Sequence, residues 1–544
     1  MKRYTIVILI VSMFIFTIPF AALSEYKVLS INTKFAKDTW IYLRTHSSDK
    51  IPIIVMLSGP SEMYVNTLRR YGTIKYAYKI INGIAMTVPR HTLDDIAMLP
   101  FVTSIWPDLE MHIMLDTSVP DIGATYVWDT YGYDGSGITI AIIDTGIDAK
   151  HVALDDLDDD PNTWDPKVIA FKDFVNGLDD LDPNDGMDAY DDNGHGTHVA
   201  GIAAGTGAPD YIYIGVAPKA YLVGIKVLDE DGSGTMSDVI AGIEWAVQNK
   251  DTYNIKVINL SLGASVTQND GTSPVAIAVD KAVLAGIVVC VAAGNEGPTP
   301  GSICTPGDAH LAITVGAAYD SGEGTKGAVP IWSSVGPTDD GRVKPDLTAP
   351  GVDIMAPEAN TETGYIEHSG TSMATPHVAG AVALLLQAYP DLDPAEVKYI
   401  LTRTTQVDYY SGNPDNTEGY GYLDIAAAIE NADILRTQLK SLYVTIDTTV
   451  STIVRGRRVF GYSIDIDVYV TDSAGNPLSD IWVLVWVCDS TGEIVYSVAG
   501  QTDDSGHFTT SYSPDASGTY YIYTIVDDYY NGYHYAYNST SVTV

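Results

Sequence analysis

Ile138-Thr-Ile-Ala-Ile-Ile-Asp144-Thr-Gly-Ile-Asp148 is an almost continuous apolar run that ends on an aspartate and a glycine turn. A run of this kind is typical of a strand that is buried on both faces of a parallel sheet. Similar runs occur at 221–227, 257–260, 287–292 and 312–315, and helix-like segments accompany them at 198–204, 237–248, 275–285, 372–389 and 394–403. This alternation predicts an α/β region with a mostly parallel, doubly wound sheet.

Two further segments carry reactive side chains. They are Asn193-Gly-His195-Gly-Thr-His198-Val-Ala-Gly201 and Ser369-Gly-Thr-Ser372-Met-Ala-Thr-Pro-His377. Together with Asp144 they supply a carboxylate, an imidazole and a hydroxyl, in that chain order. A serine hydroxyl is a poor nucleophile at neutral pH, because it needs a base within hydrogen-bond reach and that base needs a carboxylate to orient it. The three segments therefore predict nucleophilic catalysis by a serine.

A fourth segment, Ile287-Val-Val-Cys-Val-Ala-Ala-Gly-Asn295-Glu-Gly, ends another apolar run on an amide that can donate to an oxyanion. In order and content, the four segments resemble the motifs of the subtilisin family of serine peptidases. The resemblance implies that Ser372 is the nucleophile, that His195 is its base and that Asp144 orients the base. It also implies that Asn295 and the backbone N–H of Ser372 donate to the oxyanion.

Each of these residues, taken singly, has a plainer interpretation. A serine at the start of a helix is typical of an N-cap, and an asparagine beside a glycine, as Asn295 is beside Gly294, is typical of a loop. Only the agreement of all four motifs favours catalysis. The remaining histidines of these motifs, His198 and His377, are predicted to pack in the core.

Two edges and a pocket for the substrate are also implied by the resemblance. The edges would flank an extended peptide and pair with its backbone; they consist of Gly232, Ser233 and Gly234 on one side and Ser261, Leu262 and Gly263 on the other. Because backbone pairing is blind to side chains, we expect broad specificity. The walls of the pocket for the residue before the scissile bond (S1) would be Ala292, Ala293 and Gly294, with Cys304 at the floor where glycine is usual.

The chain carries 30 basic and 69 acidic side chains, a formal net charge of −39. A chain this negative repels nucleic acid, so the sequence predicts no nucleic-acid partner. Dense carboxylates suit calcium, which takes about six to eight oxygen ligands. We predict structural calcium at one of two acidic loops, through Asp158 and Asp160 or through Asp182 and Asp188. Neither loop has EF-hand spacing, and plain solvated acid loops are the alternative.

The ends of the chain indicate three further parts. Lys2 and Arg3 precede an apolar stretch at 6–18, which predicts a signal peptide over residues 1–24 and hence secretion. The alternative, a membrane anchor, needs about 20 apolar residues. Residues 25–115 show a β-α-β-α-β pattern, and their place ahead of the peptidase-like region, 116–434, resembles the inhibitory propeptide of subtilisins. Short alternating runs at 441–544 predict an immunoglobulin-like β-sandwich.

The sequence thus predicts a secreted subtilisin-like serine endopeptidase, made as a zymogen, that hydrolyses peptide bonds through an acyl-enzyme. The predicted partners are protein or peptide substrates, its own propeptide as an intramolecular inhibitor, and the cell envelope through the C-terminal domain. The alternative is a non-catalytic adhesion protein on an inactive peptidase scaffold, against which the intact set of four residues argues. The three cysteines are predicted to be buried and unpaired, with a Cys290–Cys304 bridge as the alternative.

Overall fold

The computed structural model describes most of the chain. The described residues are 34–35, 49–108, 110–113, 120–157, 165–182, 187–321, 325–406, 410, 414–455, 458–490, 494–514, 516–528 and 533–544. The predicted signal peptide, residues 1–24, lies outside these ranges. Within them, every helix falls short of the combined length and apolarity that crossing a bilayer requires.

The N-terminal unit is an antiparallel sheet of four strands in the order β2-β3-β1-β4, with two helices against it. Its elements are β1 (Lys50–Leu57), α1 (Ser61–Leu68), β2 (Thr73–Ala77), β3 (Gly83–Pro89), α2 (Leu93–Ala97) and β4 (Val102–Pro107), followed by β5 (Glu110–Ile113). The predicted β-α-β-α-β order is present, and β2 is an addition. It lies at the sheet edge with alternate residues exposed, so the apolar signal that marks a buried strand is weak there.

The central sheet has seven parallel strands in the order β14-β13-β12-β10-β6-β8-β7. They are β6 (Thr139–Asp144), β7 (Val168–Asp173), β8 (Tyr221–Lys226), β10 (Ile255–Leu260), β12 (Val288–Ala292), β13 (Ile313–Ala318) and β14 (Leu347–Pro350). The opening apolar run forms β6. Ile140 and Ile142 join the core on one face of the sheet, and Ala141 and Ile143 join the core on the other. Burial on both faces explains why the run does not alternate, as predicted.

Helices cover both faces of this sheet. On one face lie α3 (Ala124–Tyr131), α4 (His195–Ala204), α7 (Thr371–Ala388), α8 (Pro394–Arg403) and α9 (Ile425–Gln438), and on the other lie α5 (Met236–Asn249) and α6 (Pro274–Leu284). This is the predicted doubly wound α/β arrangement. Short strands stand beside the sheet: β9 (Ser233–Thr235), β11 (Leu262–Gly263), β15 (Ile354–Pro357) and β16 (Tyr365–His368).

The C-terminal region forms two antiparallel sheets around a shared core, which confirms the predicted β-rich domain. The sheets have the orders β17-β18-β21 and β20-β19-β22-β23. Their strands are β17 (Tyr443–Arg455), β18 (Arg458–Thr471), β19 (Trp482–Cys488), β20 (Ile494–Gln501), β21 (His507–Tyr512), β22 (Thr519–Asp528) and β23 (Tyr533–Thr543). Outward-facing Leu484, Trp486 and Ile525 join the core of α5 and α6, so the domain packs against the central sheet region.

Candidate active site

Asp144 and His195 form a buried pair at the carboxyl end of the central sheet. Asp144 ends β6 and is fully buried, and His195 begins α4 with 1% of its surface exposed. The Nδ1–H of His195 donates to Asp144 Oδ1 at 2.7 Å, and the same oxygen accepts from the Thr145 N–H at 2.7 Å. A Cβ at Gly196 would lie 2.1 Å from the Gly146 carbonyl oxygen. Only glycine therefore lets α4 approach the turn after β6 closely enough for this pair to form.

Ser372 is the second residue of α7 and is fully buried beside the end of β10. Its hydroxyl donates to the Ser261 carbonyl at 3.0 Å, and the Ser261 hydroxyl donates to the Ser372 carbonyl at 2.6 Å. Ser261 directly follows β10, the neighbour of β6 in the sheet. The sheet order thus brings Ser372 to the edge that carries Asp144, and the N-terminus of α7 favours negative charge at this position.

Asn295 lies just beyond β12, at the same edge of the sheet. Its side-chain oxygen accepts from the backbone N–H and from the hydroxyl of Thr371, both at 3.1 Å. The Thr371 hydroxyl also accepts from the Gly294 N–H at 3.2 Å. Because Thr371 holds the oxygen end of the amide, the NH2 end is the one left to donate towards a substrate.

The other motif histidines are buried, as predicted. His198 Nε2 lies 3.1 Å from the carbonyl oxygens of both Ile354 and Ile366, and burial lowers the pKa of His198 to about 3, so its ring is neutral. His377 Nδ1 lies 2.7 Å from the Met373 carbonyl oxygen within α7. Both rings therefore bind backbone carbonyls, which fits a packing role.

A comparison with family models matches residues 135–421, just over half of the chain, to the subtilase family. The chain belongs to the subtilase family. Serine protease AprX of Bacillus subtilis (strain 168) is 38% identical over 59% of this chain and 72% of its own length. Subtilisin NAT of Bacillus subtilis subsp. natto is 35% identical over 66% of this chain and 84% of its own. The crystal structure of a cold adapted subtilisin-like serine proteinase has 31% identity and a TM-score of 0.42, and covers 54% of this chain and 90% of that one. The protein is accordingly a serine endopeptidase.

In this subtilase the two predicted edges hold a peptide segment of the chain itself. Strand β5 lies between β9 and β11 and pairs antiparallel with both. Met111 is opposite Gly234, His112 is opposite both Ser233 and Gly263, and Ile113 is opposite Leu262. Gly232, with φ +73°, forms the turn that leads into β9. Four of the six predicted edge residues therefore pair with one extended backbone, and Gly232 and Ser261 directly precede them in the chain.

The residues predicted to form the S1 pocket of this subtilase also come together. Ala292 and Ala293 are fully buried, and the Cys304 N–H donates to the Ala293 carbonyl at 2.9 Å. Gly294 has φ +115°, and a Cβ there would lie 2.6 Å from Cys304 Sγ. All three cysteines of the chain fall within the described residues, where they are buried and form no disulfide, so the alternative Cys290–Cys304 bridge is absent. Burial raises the pKa of the Cys304 thiol to about 12, and the thiol is neutral.

The described part of the second acidic loop does not fit a calcium site. Asp188 is 83% exposed and pairs with Lys150 at 2.9 Å, and the neighbouring Asp179 pairs with Lys172 at 2.5 Å. Asp182 lies in the same loop without joining a ligand set, because no three His, Cys, Asp or Glu side chains in the described ranges gather as metal ligands. Lysines thus neutralise carboxylates that calcium was expected to bridge. Asp158 and Asp160 lie outside the described residues.

Three supporting residues were not predicted from the sequence. Thr371 anchors the Asn295 amide, and its only signal was its place before Ser372. Asp191 is buried, and its carboxylate accepts from the N–H groups of Gly194 and Thr197 at 2.8 Å each, which caps α4 beside His195. Asn259 donates to the Ser261 hydroxyl at 2.9 Å. A polar residue inside the apolar run of β10 was the signal that could have identified it.

Proposed function

We propose that this subtilase is made as a zymogen, in which residues 25–115 are an inhibitory propeptide and residues 116–434 are the catalytic domain. The observation that carries the proposal is the position of β5. It directly follows the N-terminal unit and lies between β9 and β11 as a third strand. An extended chain in this place has the backbone pairing of a bound peptide substrate or product.

The N-terminal unit is anchored on α5, away from the site itself. The Tyr78 hydroxyl donates to the Ser237 carbonyl at 2.7 Å, and Lys75 Nζ lies 2.5 Å from the Asp238 carboxylate. Glu244 accepts from the backbone N–H of Lys79 at 2.6 Å. These contacts hold the unit in place while β5 fills the cleft, which supports inhibition by the attached propeptide.

In the proposed mechanism, Ser372 attacks the scissile carbonyl while His195 takes the hydroxyl proton through Nε2. For this step the Ser372 hydroxyl exchanges the Ser261 carbonyl for His195 as its acceptor. Asp144 keeps the Nδ1–H tautomer and stabilises the imidazolium, and Asn295 donates with the Ser372 N–H to the oxyanion. His195 then protonates the leaving amine, and water, activated by the same base, hydrolyses the acyl-enzyme.

Broad specificity is part of the proposal, because β9 and β11 pair with backbone rather than with side chains. The pocket beside Gly294 has small walls, which favours sizeable apolar or aromatic side chains, and the Cys304 thiol makes its floor slightly shallower. Secretion follows from the N-terminal sequence pattern. Two further points stay predictions. One is structural calcium at loop 155–160, and the other is contact between the cell envelope and residues 441–544 as an immunoglobulin-like domain.

Expression of the precursor tests this proposal. The wild-type chain should release its N-terminal unit by a cut between residues 108 and 116, and Ser372→Ala should accumulate as the folded, uncut precursor. Circular dichroism controls for folding of the variant. Catalytic amounts of mature wild-type enzyme, added to the variant, distinguish a blocked nucleophile from an inaccessible cut site. Cutting of pure Ser372→Ala at the wild-type position would contradict the proposal.

A further inference from the structure

Lys226 places a buried ammonium group beside the catalytic pair. It ends β8 directly opposite Asp144 on β6, and its side chain has no exposed surface. Its Nζ donates to the Thr145 carbonyl at 2.6 Å, to the Asp192 carboxylate at 2.5 Å and to the Leu228 carbonyl at 2.7 Å. All three protons of the ammonium thus have an acceptor.

Each acceptor belongs to a different segment of the active site. Thr145 donates its N–H to Asp144 Oδ1 and accepts the Gly196 N–H on its hydroxyl at 2.9 Å. Asp192 lies three residues before His195. Leu228 begins the turn that leads to β9, and its N–H lies 3.2 Å from the Asp144 carbonyl. One ammonium therefore joins the turn after Asp144, the loop before His195 and the segment that leads to the substrate edge β9.

The ammonium is also part of the charge balance around His195. The Asp192 side chain is 31% exposed, whereas that of Lys226 is buried, so their interaction is screened less than that of a surface pair. Other titratable or charged groups face this region from the packed elements. They are Asp144 on β6, Tyr190 and Asp191 in the loop before His195, His198 on α4, and His368 on β16. The centroid of the Tyr190 ring lies 5.6 Å from Lys226 Nζ, and the His368 ring is tilted by 47° against that of His198, with 4.6 Å between the centroids.

We propose that Lys226 is a positioning residue that fixes the Asp144–His195 pair and, together with Asp192, sets the pH at which His195 becomes protonated. The inference rests on the catalytic roles proposed above. Loss of the ammonium leaves the negative charge of Asp192 uncompensated, which favours the imidazolium. Loss of the Asp192 charge leaves the ammonium uncompensated, which disfavours the imidazolium.

The test compares five variants of the mature enzyme, Lys226→Met, Lys226→Arg, Asp192→Asn, the double variant Lys226→Met/Asp192→Asn, and Lys167→Met. Lys167 is the matched control, because it is another fully buried lysine that donates to backbone carbonyls, those of Pro218 and Ala220. It precedes β7, at the opposite end of the sheet from the active site. The measurements are kcat and KM for a small peptide anilide as a function of pH, at low and high salt. The quantity compared is the acid limb of the pH–rate profile, where activity falls as His195 becomes protonated.

Lys226→Met should lower kcat by about tenfold to a hundredfold with little change in KM, because it misplaces reacting groups. At low salt its acid limb should move to higher pH by roughly half a pH unit, and high salt should reduce the shift. Asp192→Asn should move the limb to lower pH, and the double variant should lie between the two. Lys226→Arg should keep the wild-type limb, and Lys167→Met should lose stability without moving it.

Shifts of the same sign for Lys226→Met and Asp192→Asn, or no shift in either, would overturn the inference. An equal shift in Lys167→Met would do so as well. If Lys226→Met does not fold, two other variants decide. A shift of the Asp192→Asn limb to lower pH supports the charge balance, and a shift to higher pH contradicts it. A kcat of Lys226→Arg near the wild-type value supports the positioning role. A wild-type enzyme without an acid limb would instead contradict the proposed role of His195, so the two failures are distinguishable.

Discussion

The Asp108 carboxylate accepts hydrogen bonds from both the backbone N–H and the hydroxyl of Ser237, at 2.7 and 2.5 Å. Asp108 ends the N-terminal unit, and Ser237 lies in the first turn of α5. One part of the chain therefore caps a helix of the other, where a negative charge also suits the helix dipole. The carboxylate is nevertheless almost fully buried, and this burial raises the pKa of Asp108 from 3.8 to about 6.

Binding of the separated propeptide should become tighter as the pH falls. A raised pKa means that the docked state takes up a proton between pH 6 and 3.8, where free Asp108 remains charged. Affinity should thus rise about tenfold from pH 7 to pH 5. Titration of a fluorescent 25–115 fragment against inactive, propeptide-free catalytic domain measures this. Asp108→Asn keeps an acceptor for Ser237 and should flatten the pH dependence, and an unchanged slope would contradict the assignment.

Inhibition by the propeptide should depend more on the backbone pairing of β5 than on its side chains. His112 lies opposite both Ser233 and Gly263, so His112→Pro removes an N–H in the middle of the three-stranded sheet. We expect the fragment with His112→Pro to inhibit the mature enzyme at least tenfold more weakly. His112→Ala is the matched control and should inhibit nearly as well as the wild type. Equal loss in both variants would show that side-chain recognition dominates, against the proposed broad specificity.

The amide of Asn295 should act on kcat rather than on substrate binding. Asn295→Ala should lower kcat by roughly 10²–10³ with KM nearly unchanged, a magnitude established on subtilisin itself and borrowed from there. Thr371→Val removes the hydroxyl that holds the amide oxygen and should give a smaller loss of the same kind. Steady-state kinetics of both variants check this. A rise in KM at constant kcat would assign Asn295 to ground-state binding.

Calcium should stabilise the mature enzyme if loop 155–160 binds it. An ion that binds the folded state alone, at a hundred times its Kd, adds about 2.7 kcal/mol of stability. Chelation should therefore lower the melting temperature in the wild type and have less effect in Asp158→Asn/Asp160→Asn. Asp182→Asn/Asp188→Asn is the control and should respond as the wild type does. Identical melting of metal-free enzyme with and without added calcium would remove the prediction.

The motif residues could be placed from the sequence because each follows a buried strand or begins a helix. Asp144 and Asn295 end apolar runs of one parallel sheet, so their meeting at a shared edge follows from the fold class alone. His195 and Ser372 begin helices on the same face of that sheet. The sheet topology predicts that these four positions meet, whereas their catalytic roles came from the agreement of the four motifs and their resemblance to subtilisins.

The missed features depend on partners that are distant in the chain. Strands β7 and β14 are the two edges of the central sheet and lack a long apolar run. The acidic loop looked like a calcium site because Lys150 and Lys172, which neutralise Asp188 and Asp179, are not recognisable as partners from spacing. The role inferred for Lys226 likewise depends on three segments that only the fold brings together.

The central claim is that Ser372 is the nucleophile that forms the acyl-enzyme, and covalent labelling tests it most directly. Mature enzyme treated with a fluorophosphonate should lose activity in proportion to the label taken up. Peptide mapping by mass spectrometry should place one label per chain, on Ser372. Full activity after labelling of Ser372, or inactivation by a label on any other residue, would contradict the claim.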